Sequence, residues 1–154
     1  MSLENGAAAP AFTAPRDGGA EVSLSDFAGK SVVLYFYPRD DTPGCTTEAN
    51  EFTAASDQFA AAGAVIIGVS KDTVAKHDKF VAKHDLGVML VSDADSTICE
   101  DYGVWVEKNM YGRKSMGIER ATFLIGPDGS IRQIWRKVKV KGHVDEVLTA
   151  VQAP

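Results

Sequence analysis

The segment that most constrains this chain joins an apolar run to the start of a helix. Residues 32–37 (Val-Val-Leu-Tyr-Phe-Tyr) are typical of a buried β-strand. Residues 38–45 (Pro-Arg-Asp-Asp-Thr-Pro-Gly-Cys) follow, and residues 46–52 predict the opening of a helix. Cys45 is therefore expected at a strand-to-helix turn, where free backbone N–H groups favour the thiolate over the thiol. Since the thiolate is the nucleophilic form of cysteine, Cys45 is a candidate nucleophile.

Length and composition predict one ordinary globular domain. The chain has 154 residues, of which 45% are hydrophobic and 24% charged, so residues 1–154 are expected to share one core. The formal net charge of −5 argues against nucleic acid as the main partner. We find no secretory-signal pattern at the N-terminus and no apolar run near the roughly 18 residues that a membrane span needs. No membrane interaction is therefore expected.

The two cysteines, Cys45 and Cys99, favour a reducing compartment. With so few cysteines and no export signal, the cytoplasm is the predicted location. No Cys-x-x-Cys pair or neighbouring histidine pair is present, so no zinc site is expected. The missing pair also argues against a dithiol oxidoreductase, because that chemistry needs two adjacent thiols.

Strand and helix patterns alternate along the rest of the chain. Residues 10–15 and 21–24 flank a Gly-containing turn and predict an N-terminal β-hairpin. Residues 106–119 are polar and predict a long loop. Further strands are predicted over 65–70, within 86–91, and over 121–125 and 131–135, with helices over about 46–62, 73–84, within 93–102 and over about 143–151. This order implies an α/β fold with a central mixed sheet flanked by helices.

The pattern Pro38-x-x-x-Thr42-x-x-Cys45 resembles the signature of the peroxiredoxins, which are antioxidant thiol peroxidases on a thioredoxin-like fold. The resemblance covers nearly the whole chain. Within the family, the chain is similar to the bacterioferritin comigratory protein, or peroxiredoxin Q, branch. It includes residues 69–72, 102–105, 107–112, 117–125 and 135–143. The resemblance implies an enzyme that reduces hydrogen peroxide and organic hydroperoxides without a metal or an organic cofactor.

The same resemblance implies a set of site residues. Cys45 would attack one peroxide oxygen and become a sulfenic acid. Thr42 lies one turn before it and would orient the peroxide, while Pro38 would keep water from the sulfur. Arg120 would bring a permanent positive charge over the cysteine, and Glu48 would hold that arginine in place.

Each of these positions also has a local explanation. Cys45 could be an inert buried cysteine. Thr42 could bond the backbone of its own turn, and Pro38 could simply end the strand. Arg120 could be a surface charge, and Glu48 could complement the positive end of the helix.

Histidines 77 and 84 share one helix face, which favours packing or exposure over metal binding. Four side chains flank or line the 106–119 loop: Trp105, Met110, Tyr111 and Met116. They could form an apolar collar for organic hydroperoxides, or they could anchor the loop to the core.

One departure from the family pattern concerns the second half of the cycle. Asn50 stands where many members of the branch carry a resolving cysteine, and residues 73–84 contain none. Cys99 remains, but it reads as a small core residue, and a disulfide would need Cα atoms within about 7 Å. A one-cysteine mechanism is therefore predicted, with thioredoxin, glutaredoxin or glutathione as the external thiol.

Two alternatives stay open from the sequence. The chain could be a two-cysteine enzyme that uses Cys99, or a peroxide-sensing thiol protein without efficient turnover. For the assembly we expect a monomer or a weak homodimer.

Overall fold

Strands and helices alternate along residues 3–153, which the computed structural model describes apart from the side chain of Met110. The strands are β1 (Thr13–Pro15), β2 (Glu21–Ser23), β3 (Ser31–Phe36), β4 (Ala64–Ser70), β5 (Met89–Ser92), β6 (Trp105–Met110), β7 (Arg113–Ile118), β8 (Ala121–Ile125) and β9 (Ile131–Trp135). The α-helices are α1 (Pro43–Ala54), α2 (Ser56–Ala61), α3 (Val74–His84), α4 (Ile98–Asp101) and α5 (His143–Gln152), and a short 3-10 helix covers Leu24–Phe27.

Five strands form the central sheet in the order β5-β4-β3-β8-β9. The pairs β3–β4 and β4–β5 are parallel, whereas β8 runs antiparallel to β3 and β9 antiparallel to β8. Strands β1 and β2 form the expected N-terminal hairpin. The predicted mixed α/β fold with a hairpin extension is therefore confirmed.

Side chains of β3 alternate between two cores on opposite faces of the sheet. Val32, Leu34 and Phe36 belong to a hairpin-side core, which β1, β2, α4 and the start of β6 complete. Val33 and Tyr35 belong to a helix-side core, which is completed by α1, α2, α3 and α5. Burial of each large apolar side chain contributes roughly 1.5–3 kcal/mol. The loop that follows β3, residues 37–42, therefore begins at the edge of both cores.

The predicted helix over 46–62 differs from the structure at both its start and its middle. It begins at Pro43, because proline fits the first helical position, where no backbone N–H is needed. It is interrupted at Ala55, so that α1 and α2 are separate helices. The Ser56 hydroxyl donates to the Thr53 carbonyl at this break. Such local bonds compete with the helical pattern and do not alter apolar periodicity.

The predicted loop over 106–119 is wrong, because β6 and β7 form an antiparallel hairpin there. Its turn is Tyr111-Gly112, and both residues have positive φ, 55° and 79°. Two positive φ values in a two-residue turn match the right-handed twist of a hairpin. Tyr111 is fully exposed and Met116 is half-exposed, whereas Trp105 packs against the hairpin-side core. Trp105 therefore helps to anchor this segment, together with the buried Ile118, and the side chain of Met110 lies outside the described residues.

Within residues 3–153, no helix combines the length and the apolar character needed to cross a bilayer.

Candidate active site

Helix α1 places Cys45 in its first turn. Thr42 is the N-cap residue and has extended backbone angles, φ −91° and ψ 156°. The first helical hydrogen bond runs from the Thr46 N–H to the Thr42 carbonyl at 2.8 Å. Backbone N–H groups ahead of that bond have no partner within the helix and carry the positive end of its dipole. Cys45 is only 2% exposed, so this field acts on a sulfur largely removed from water.

Arg120 lies between β7 and β8 and reaches across to the cysteine. Its Nη2 donates to Cys45 Sγ over 3.3 Å. The guanidinium is permanently charged, so it stabilises negative charge on this sulfur or on an oxygen beside it. The structure thus brings together two residues that are 75 positions apart in the chain.

Glu48 holds the other side of the same guanidinium. Its Oε1 accepts a hydrogen bond from Arg120 Nη1 at 2.6 Å, and its side chain is fully buried. Burial raises the pKa of Glu48 to about 7, although the charge of Arg120 opposes this change. Oε2 of Glu48 has no hydrogen-bond partner among the described residues. One guanidinium therefore bonds both Cys45 and Glu48, and the carboxylate fixes its orientation.

Gly44 allows the guanidinium to approach this closely. A Cβ atom at position 44 would lie 3.2 Å from Arg120 Nη2, tighter than an ordinary contact. A side chain here would push Arg120 away from Cys45. Sequence reasoning gave Gly44 no role, although its place directly before the cysteine was a usable signal.

The Thr42 hydroxyl makes a local contact, donating to the Arg39 carbonyl at 2.9 Å. Its proton is committed to the backbone, and its oxygen keeps lone pairs that can accept another bond. Pro38 lies in the exposed bend that follows β3.

A buried polar network, which sequence reasoning missed, holds the loop before Cys45. The Tyr37 hydroxyl donates to Asp40 Oδ1 at 2.6 Å, and Asp40 Oδ2 lies 2.6 Å from His77 Nδ1. His77 Nε2 faces the Val91 carbonyl at 3.1 Å. Because a carbonyl only accepts, Nε2 carries a proton, and the bond at Nδ1 requires one more proton on the ring or the carboxyl group. The Asp40–His77 pair is therefore neutral overall.

Tyr35 is another residue at the site that sequence reasoning missed. Its hydroxyl is buried and has no hydrogen-bond partner among the described residues, and Phe52 stacks on its ring at 4.6 Å between centroids. A Cβ at Gly68 would lie 2.7 Å from the ring, so that glycine makes room for it. Burial, and after it the charge of Glu48, raises the pKa of Tyr35 well above its usual value. Alternation along β3 was the signal that could have placed it on the Cys45 side.

His143 is neutral beside the arginine. It is buried, and its Nε2 lies 2.8 Å from the Thr122 hydroxyl. Burial and the charge of Arg120 together lower the pKa of His143 to about 4.

Cys99 lies elsewhere, in α4. It belongs to the hairpin-side core, whereas Cys45 belongs to the helix-side core. Its N–H donates to Asp93 Oδ2 at 2.9 Å. Burial and the charge of Asp93 raise the pKa of Cys99, so its sulfur stays a thiol.

Comparison with known proteins assigns this chain to a family. The AhpC/TSA family matches residues 5–134. A putative peroxiredoxin Bcp of Coxiella burnetii is 54% identical over 148 residues, covering 96% of this chain and 98% of that protein. Peroxiredoxin Bcp of Bacillus subtilis is 49% identical over 152 residues, covering 99% and 97% of the two chains.

Solved structures of the same family superpose on this chain. A peroxiredoxin Q mutant from Xylella fastidiosa superposes with a TM-score of 0.93 at 41% identity, covering 99% of this chain and 97% of its own. Peroxiredoxin Q of Xanthomonas campestris gives 0.88 at 50% identity, covering 92% and 89%.

The fold of this chain and the proteins most similar to it define it as a thioredoxin-like thiol peroxidase. The chain belongs to the AhpC/TSA family as a peroxiredoxin of the Bcp, or peroxiredoxin Q, branch, and the resemblance seen in the sequence is confirmed. Like other peroxiredoxins it acts on peroxides and is reduced by a thiol partner.

Proposed function

We propose that Cys45 is the peroxidatic nucleophile of this enzyme and that its substrates are hydrogen peroxide and organic hydroperoxides. The observation that carries the proposal is the 3.3 Å contact from Arg120 Nη2 to Cys45 Sγ at the start of α1. A related structure, bacterioferritin comigratory protein of Xanthomonas campestris, is described in terms of its alkyl peroxide reduction activity. That description supports the inclusion of alkyl hydroperoxides among the substrates.

The first step moves two electrons from sulfur to the peroxide. The Cys45 thiolate attacks one oxygen of R–O–O–H, an S–O bond forms and the O–O bond breaks. Cys45 becomes a sulfenic acid, and the other oxygen leaves as alkoxide or hydroxide, which takes up a proton to give alcohol or water. No metal or organic cofactor enters this balance.

The surrounding residues act on the charge that moves across the O–O bond. Arg120 and the first N–H groups of α1 stabilise that charge as it passes from sulfur to the leaving oxygen. Thr42, whose proton is committed to Arg39, accepts a hydrogen bond from the peroxide. Glu48 is a positioning residue for Arg120, and Pro38 limits water at the sulfur.

We further propose a one-cysteine cycle. Cys45 and Cys99 occupy different cores, and Asn50 on α1 is exposed and carries no thiol. An external thiol R′SH would attack the sulfenic acid, giving a Cys45–S–S–R′ disulfide and water. A second R′SH would restore the Cys45 thiol and leave R′–S–S–R′.

The organisation of the chain and its setting also remain proposals. We propose that residues 1–154 act as a single catalytic domain, as a monomer or weak homodimer. Thioredoxin, glutaredoxin and glutathione are the candidate reductants. The cytoplasmic location stays a prediction.

Peroxide consumption in the presence of dithiothreitol tests the assignment. Cys45→Ser should abolish consumption, while the matched variant Cys99→Ala should retain it. Activity in Cys45→Ser would overturn the assignment. A wild-type protein that consumed one equivalent of peroxide and then stopped would be a sensor and not an efficient peroxidase.

A further inference from the structure

A cleft of about 330 Å³ lies between the loop that precedes Cys45 and helix α3. Residues 39–41 form one wall, α3 forms the other, and Phe80 contributes an apolar surface. The volume is near the lower end of the 300–1,000 Å³ typical of small-ligand pockets. Asp41 is four residues before Cys45, so their Cα atoms are at most about 14 Å apart. The wall of the cleft at Asp41 is therefore close to the Cys45 backbone.

Three basic side chains at this cleft have no ion-pair partner among residues 3–153. They are Arg39 on the loop and Lys76 and Lys79 on α3, and all three residues are exposed. Lys76 and Lys79 are three positions apart, so they lie side by side on one helix face. Uncompensated positive charge here stands out in a chain of net charge −5.

One carboxylate at the cleft is already paired with cations. Asp41 accepts from Lys83 Nζ at 2.7 Å and lies 2.8 Å from His84 Nε2. Lys83 and Asp41 therefore offset each other and leave the three basic side chains as the free charges.

Two other carboxylates at the cleft are held by internal donors. Asp72 Oδ2 accepts from the Asp40 backbone N–H at 2.8 Å and from the Ser70 hydroxyl at 2.7 Å. Asp40 forms the neutral pair with His77. The donors to Asp72 are neutral, so its negative charge remains and offsets one of the three free cations. The cleft still carries a net positive charge and therefore favours an anionic ligand.

We propose that this cleft binds the resolving thiol, and that the thiol is a small carboxylate-bearing one of which glutathione is the representative. The proposal rests on the proposed function, since it needs a Cys45 sulfenic acid. The glutathione carboxylates pair with Arg39, Lys76 and Lys79 while its sulfur attacks Cys45. Water leaves, a mixed disulfide forms, and a second glutathione releases glutathione disulfide and the Cys45 thiol. Because Cys45 is 2% exposed, a small thiol reaches it with less rearrangement than a cysteine on a folded partner.

Steady-state turnover with two reductants tests this proposal. Glutathione carries carboxylates, whereas dithiothreitol is neutral. In Lys76→Glu/Lys79→Glu, the KM for glutathione should rise at least about fivefold relative to the KM for dithiothreitol, because paired charges become repulsive. Rising salt should weaken glutathione use by the wild type in the same direction.

The control is Lys30→Glu/Arg132→Glu, which makes the same charge change at exposed positions. Lys30 directly precedes β3, about 20 Å of strand away from the loop that leads to Cys45. This control should leave both KM values unchanged. The proposal is overturned if the two double variants affect glutathione equally, or if glutathione fails to sustain wild-type turnover while dithiothreitol does. Failure of dithiothreitol turnover as well would instead count against the proposed peroxidase cycle itself.

Discussion

Cys45 and Cys99 lie in separate cores on opposite faces of the central sheet. Strands β3, β4 and β8, which carry both cores, stand between them. A disulfide would need their Cα atoms within about 7 Å, which this arrangement does not offer without unfolding. This separation supports the proposal that the second thiol of the catalytic cycle comes from another molecule.

Replacement of the second cysteine tests this separation. Cys99→Ala should retain peroxide turnover and lose roughly 1 kcal/mol of stability, since one buried sulfur is removed from a packed core. Initial rates with dithiothreitol and a urea unfolding curve would measure both quantities. A variant that stalls after one cycle would make Cys99 the resolving thiol.

Arg120 should control the chemical step. Arg120→Met removes the charge that faces Cys45 Sγ, so the rate constant for reaction with peroxide should fall by about 10²–10³. Arg120→Lys should fall between this variant and the wild type, because lysine keeps the charge and loses the two-sided contact with Cys45 and Glu48. Rapid-mixing kinetics with excess peroxide would measure the rates. Equal rates in all three proteins would remove Arg120 from the reaction.

Glu48 should make stability fall as pH rises. Its folded pKa of about 7 exceeds the ordinary value of 4.5, so the folded state binds the proton more tightly than the unfolded state. The resulting stabilisation is present in full below pH 4.5 and is lost as pH rises through 7. The free energy of unfolding that is lost in this way is up to about 3 kcal/mol.

The matched variant Glu48→Gln lacks this titration. Between about pH 5 and about pH 8, the free energy of unfolding should fall more in the wild type than in Glu48→Gln. The comparison cancels His143, whose lowered pKa acts in the opposite sense in both proteins. Parallel pH profiles would show that Glu48 does not titrate in this range.

The Asp40–His77 pair should stabilise the loop that carries Thr42. Asp40→Asn leaves two buried donors without a charged partner, at a cost of about 2–4 kcal/mol. A double-mutant cycle with His77→Gln should show strong coupling in thermal unfolding. Hydrogen exchange at the backbone amide of residue 40, which donates to Asp72, should accelerate in either single variant. Additive effects would mean that the two residues do not act as a unit.

The sequence predicted where Cys45 and Arg120 lie, and it did not predict the Asp40–His77 contact. The strand before Cys45 and the helix after it follow from local patterns, and Arg120 follows from the family resemblance. The partner of Asp40 is 37 residues away, and a histidine on an apolar helix face does not reveal which carboxylate it meets.

The β6–β7 hairpin was missed for a different reason. Lys108 and Lys114 are among the polar residues that leave the two strands without apolar alternation, since much of the hairpin is exposed. Its twist is set by positive φ at Tyr111 and Gly112, and a tyrosine is not a usual signal for that conformation.

The most direct test of the central claim is the intact mass of the wild type after one equivalent of peroxide, under denaturing and non-reducing conditions. The one-cysteine account predicts a gain of one oxygen atom on Cys45, which is replaced by a mixed disulfide when glutathione is added. A loss of two hydrogen atoms, the mass of a Cys45–Cys99 disulfide, would contradict it.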